Sequence, residues 1–117
     1  MSKLLVFVGE NIKFDKEKTI QAIEGIDGVF DIKEGRFIGA VFECCYRYND
    51  ATTIVRLSDD LETISIDGLE DVSLDFSLKL RDVLGQSVSA IDMDYSFHIS
   101  LDDVSSIKEF QKIISVG

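Results

Sequence analysis

Few side chains in this sequence have the chemistry for catalysis or metal binding. There is one histidine, His98; two adjacent cysteines, Cys44 and Cys45; and a pair of aspartates, Asp92 and Asp94, two positions apart in "SAIDMDYSFHISL". Each set suggests a different chemistry. Histidine is the side chain most often used as a general acid or base near neutral pH. A serine or cysteine nucleophile needs such a base within reach and a third group to orient it, and His98 is the sole candidate for that base. A structural zinc takes about four nitrogen or sulfur ligands, and the chain has only His98, Cys44 and Cys45 to offer. Two carboxylates on one strand face can share a divalent cation such as magnesium, which is what Asp92 and Asp94 would support. No calcium-loop pattern accompanies them, and "GENIKFDKEK" has one glycine where a nucleotide-binding turn needs several. The expectation is no catalytic residue, no bound metal and no cofactor.

"HIS" followed by Leu101 resembles one half of the His-x-Ser/Thr signature of the two-histidine phosphoesterases. In that family two copies of the motif face one another and act as an acid–base pair on a cyclic phosphate. Here the second histidine is absent, and only 4 lysines and arginines follow residue 58 to meet a phosphate. His98 is therefore read as an exposed residue on the polar face of a strand.

Elements that would position these residues can be read from spacing. "KLLVFVG", Lys3 to Gly9, is a short apolar run closed by glycine and predicts a buried central strand. Asp15 is placed to cap a helix through "KEKTIQAIEGI", with Ile20, Ile23 and Ile26 as its buried stripe and Gly25 and Gly28 closing it. "GVFDIKEGRFIGAVFECCYRYND" predicts two strands joined at Glu34-Gly35. In the second of them Ile38, Ala40, Phe42, Cys44, Tyr46 and Tyr48 face the core, and Phe37, Gly39, Val41, Glu43, Cys45 and Arg47 face away. Turns at Asn49-Asp50 and Asp59-Asp60 continue an antiparallel meander through "ATTIVRLS" and "LETISI".

Asp67 and Glu70 have capping-box spacing ahead of a helix near residues 69 to 84. Leu69, Val72, Phe76, Leu80 and Val83 make its stripe, widened by Leu74 and Leu78, and Gly85 stops it. "SVSAIDMDYSFHISL" predicts one half-buried strand, with Ile91, Met93, Tyr95, Phe97, Ile99 and Leu101 inward and Asp92, Asp94, Ser96, His98 and Ser100 outward. Ser100 and Asp103 would open a last helix in which Val104, Ile107, Phe110 and Ile114 pack inward. The predicted fold is α+β: one mostly antiparallel sheet of about five to six strands, with two to three helices on one face, in the order β-α-β-β-β-β-α-β-α. One face of the sheet is left open for solvent or a partner.

At 117 residues, with no proline and no repeat, the chain predicts a single domain spanning 1–117. A hydrophobic share of 45% is that of a folded globule. The opening "MSKLLVFVGEN" is too short in apolar residues for a secretory signal or a membrane span, so a cytoplasmic location is expected, with free thiols at Cys44 and Cys45.

Charge is unevenly spread. Residues 1 to 58 carry 9 acidic and 8 basic side chains, whereas residues 59 to 117 carry 13 acidic and 4 basic, so nearly all of the net −10 lies in the second half. Such a field repels nucleic acid and anionic membranes and steers a basic protein partner. In size, acidity, compact α+β pattern and lack of catalytic residues, the chain resembles the immunity proteins of bacterial toxin systems. That resemblance implies a non-enzymatic domain that docks on a basic partner, such as a toxin or nuclease domain, and neutralises or escorts it. The expected partner-binding residues are Asp59, Asp60, Glu62, Asp92, Asp94 and His98, with Tyr46, Tyr48 or Tyr95 as an aromatic anchor. The alternatives are an acidic homodimeric secretion chaperone, against which the opening strand argues, and a small enzyme using Asp92 and Asp94 or His98. A homodimer joined through the open sheet face is a structural option.

Overall fold

A computed structural model describes residues 2–9, 11–37 and 39–116, without the side chains of 36, 37 and 116. The chain forms β1 (Lys3–Phe7), α1 (Lys16–Glu24), β2 (Val29–Phe37), β3 (Ala40–Tyr48), β4 (Ala51–Ser58), β5 (Ile64–Asp67), α2 (Asp71–Leu84), β6 (Ser89–Asp92), β7 (His98–Ser100) and α3 (Ile107–Val116). All seven strands join one sheet in the order β2-β3-β4-β5-β1-β6-β7, and every pairing is antiparallel. The α+β arrangement is as predicted, with one strand more than expected. Helix α2 packs on β3, β4 and β5, and α1 and α3 pack against α2.

Alternation decides which residues enter the core. In β1, Leu4 and Val6 are fully buried while Leu5 and Phe7 are half-buried; in β3, Phe42, Cys44 and Tyr46 are fully buried while Val41, Glu43 and Cys45 are not. These inner residues join Phe76, Leu74 and Leu80 of α2 in one cluster. Each such side chain, taken from water to a full burial, contributes about 1.5–3 kcal/mol. Polar groups enter with partners: the Tyr46 hydroxyl donates to the Asp75 carboxylate and accepts from Lys79 Nζ at 2.8 Å.

Several local details differ from the sequence reading. The β2–β3 reversal falls beyond Phe37 at Gly39, with φ of 79°, because Glu34-Gly35 lies inside β2 at a register shift. Ile38, expected in the core, lies outside the described residues. Asp15 does cap α1, accepting from Lys18 N at 3.0 Å, but Gly25 is right-handed and the positive φ, 100°, belongs to Gly28. There a Cβ would come within 2.8 Å of the Arg47 carbonyl oxygen, so only glycine fits. The predicted capping box ahead of α2 does not form: Glu70 is its N-cap without a side-chain bond, and Asp67 ends β5. Gly85 closes α2 in the left-handed conformation as expected, whereas Val83 is 44% exposed rather than buried. A 3-10 turn over Leu101–Asp103 precedes α3, which is opened by Ser106, whose Oγ accepts from Glu109 N at 3.2 Å, rather than by Ser100 and Asp103.

The largest correction concerns the segment read as one long strand. It is a hairpin, β6 and β7, in which Ile91 pairs with His98 and Ala90 with Ile99. An odd-numbered residue thus faces the same way as an even-numbered one, so the alternation reverses phase across the turn. Ile99 points inward as predicted, but Asp92 pairs with inward-facing Leu4 and is buried, while Ile91 pairs with Leu5. Met93 and Tyr95, predicted to be buried, sit in the turn 51% and 76% exposed.

Candidate functional site

The side of the sheet away from the helices divides into two halves of different chemistry. Across β2, β3, β4, β5 and β1 runs a ladder of alternating charge. Lys33 Nζ lies 3.9 Å from Glu43, Arg56 Nε donates to Glu43 at 2.8 Å, Arg56 Nη1 lies 3.6 Å from Asp67, and Lys3 Nζ lies 3.8 Å from the same Asp67 oxygen. The register produces it by setting Lys33 opposite Glu43, Glu43 opposite Arg56, and Lys3 opposite Asp67. That buried Asp67 Oδ1 has no hydrogen-bond partner among the described residues and is held by charge alone. On the same face Cys45 is half-buried, whereas Cys44 faces the core, where burial pushes its thiol up to about 12.

Beyond Lys3 of β1 the ladder stops: no ion pair among the described residues involves β6 or β7. A groove of about 730 Å³ lies along β1, β6 and β7, floored by Leu5, Phe7 and Ile91 and bordered by Glu62, Tyr95 and His98. The register sets Leu5, Ile91 and His98 side by side, and the His98 ring lies 5.6 Å from that of Phe7 at 48°. His98 is exposed on the open face, as the sequence indicated.

Tyr95 stands at one end of the groove in an unusual backbone state. Its φ is 55°, a left-handed value that is a genuine outlier for a bulky side chain. Asp92 holds the turn there. Its carboxylate accepts from Ser96 N at 2.7 Å and from the Ser96 hydroxyl, and Tyr95 N donates to Asp92 O at 3.2 Å. The Ser96 hydroxyl bond is the chief reason the Asp92 carboxyl titrates below its ordinary value.

The six sequence-derived residues do not gather into one patch. Strand β1 enters the sheet beside Asp92 and Asp67 and leaves it beside Ser89 and Ile64. The Asp92–Asp94 turn is therefore at the opposite end of the strands from the Asp59–Glu62 turn, roughly 13 Å away along β1 at a rise of about 3.3 Å per residue. Asp92 is also 5% exposed, so it shares no open face with exposed Asp94. Asp60 is spent on its own turn, accepting from Ser58 Oγ at 2.6 Å and Glu62 N at 2.9 Å, which lowers its pKa. Asp59 is exposed beside it. Only Glu62 and His98 of the six line the groove.

Of the candidate anchors, Tyr46 is fully buried, Tyr48 is half-buried, and Tyr95 is exposed. Phe7, Leu5 and Ile91 were missed as site residues because apolar side chains at these positions read as core. The signal that could have found Leu5 and Phe7 is the β1 alternation, which puts them opposite Leu4 and Val6. Among the described residues no three His, Cys, Asp or Glu side chains converge to hold a metal ion, and no helix is long and apolar enough to cross a membrane. No protein family, curated protein or solved structure matches this chain.

Proposed function

We propose that this chain is a non-enzymatic protein-binding domain that docks on a basic protein partner, of the toxin or nuclease kind, and neutralises or escorts it. The groove along β1, β6 and β7 would be the contact surface, in place of the scattered acids expected from sequence. Tyr95 is the observation that carries this reading. A left-handed backbone costs an ordinary residue about 1–2 kcal/mol, and glycine or asparagine would remove that cost, yet a tyrosine stands there 76% exposed. Strain of this kind points to a function when it displays a side chain suited to binding, and tyrosine is among the residues that dominate interface energies. The acidic excess of residues 59 to 117 supports steering of a basic partner.

The test is a capture experiment from host lysate with wild-type and Tyr95→Ala baits, at low and moderate salt, followed by a direct affinity measurement on the protein retained. A basic protein held by the wild type, released as salt rises, and bound at least about tenfold more weakly by Tyr95→Ala is the expected result. Equal affinity for the two baits would overturn the reading.

A further inference from the structure

We infer, on the basis of the docking surface just proposed, that the groove receives an arginine side chain of the basic partner, with its stem on the apolar floor and its guanidinium at Glu62. The carboxylates of the ladder already have cations: Glu43 has Arg56 and Lys33, and Asp67 has Arg56 and Lys3. Glu62 differs. It is half-buried at the groove's edge and makes no ion pair among the described residues. No lysine or arginine is among the described residues lining the groove.

The floor and the rim have complementary demands. Leu5, Phe7 and Ile91 offer apolar surface, Phe7 offers an aromatic ring at the Glu62 end, and Glu62 offers one negative charge. An acidic or neutral polar occupant would waste the floor, and a purely aliphatic one would leave the carboxylate unpaired at the rim of an apolar contact. Arginine satisfies both, because its methylene stem covers apolar surface while its weakly hydrated, planar head stacks on aromatic faces and pairs with a carboxylate through two parallel hydrogen bonds. The neighbouring Asp59 and Asp60 carry further negative charge on the same turn and would attract such a head without contacting it.

The probe is a short arginine-containing peptide, compared with the same peptide carrying citrulline, which keeps the shape and hydrogen-bonding plane but not the charge. Both are titrated into the whole chain while backbone amide resonances are followed, with Glu62→Gln as the variant. Expected are shifts centred on Thr63, Ser89, Tyr95 and His98, and about fivefold weaker binding for citrulline and for Glu62→Gln alike. Unchanged resonances of the core residues would show that Glu62→Gln is folded. Equal binding of the citrulline peptide, shifts centred on α2 or on Asp102 and Asp103, or no shift in the groove would each overturn the arginine assignment. If the lysate partner still depends on Tyr95 in those cases, docking at the groove survives; if it does not, that reading fails on its own test.

Discussion

The ladder half and the groove half of the open face are built from neighbouring strands of one antiparallel sheet, yet they have opposite relations to their surroundings. In the ladder, Lys33, Glu43, Arg56, Asp67 and Lys3 neutralise one another within the chain. Its charges are paired within the chain, so it is a poor place for a partner to gain energy. In the groove, Leu5 and Phe7 are only partly covered beside buried Ile91, and Glu62 has no cation among the described residues. Net charge alone therefore does not locate a site. The proposed docking groove is instead where a charge without a partner among the described residues lies beside apolar surface, and the acidic residues counted in the sequence are mostly elsewhere.

Strand β1 supplies both the core, through Leu4 and Val6, and the groove, through Leu5 and Phe7. Leu4→Ala should lower unfolding free energy by about 2–5 kcal/mol, the usual cost of a cavity at a fully buried leucine. Leu5→Ala, next along the strand, should cost only about 1 kcal/mol because its side chain is partly exposed already. Denaturant unfolding of the two variants measures this, and equal losses would mean that the open face is as deeply packed as the inner one.

A smaller effect separates the ladder from the groove. Arg56→Ala removes the 2.8 Å bond to Glu43 and leaves that carboxylate with Lys33 alone and Asp67 with Lys3 alone. It should cost about 1 kcal/mol of stability, most of it recovered in high salt, with no change in affinity for the partner. A loss of affinity comparable to that of Tyr95→Ala would extend the docking surface over the whole face. The smallest expected effect is at the turn: Tyr95→Gly should stabilise the fold by roughly 0.5 kcal/mol, since glycine accepts a positive φ without strain but costs more chain entropy. The same variant should weaken partner binding, so stability and affinity would move in opposite directions in thermal unfolding and titration.

Much of the fold was legible because it rests on local rules. The alternation of β1 and β3, the Asp15 cap of α1 and the Gly85 stop of α2 each depend on residues within a few positions of one another. Asp67 was misassigned for the opposite reason. Its spacing to Glu70 satisfies a capping pattern, but its carboxylate is committed to Lys3 and Arg56, which lie 64 and 11 positions away in the sequence. The candidate site was legible only in part: His98 and Glu62 were singled out, while the apolar floor that gives them a context was not.

The class of fold, the inner faces of the long strands, the uneven charge and the scarcity of catalytic side chains follow from composition and from periodicities of two and 3.6 residues. The phase of β6 follows from strand pairing instead. A run that alternates without interruption in the sequence was split by a turn, and whether an aspartate or an isoleucine then faces the helices depends on which residue pairs with which across the strands. Register is a property of two strands and their turn together, so no alternation along a single segment encodes it.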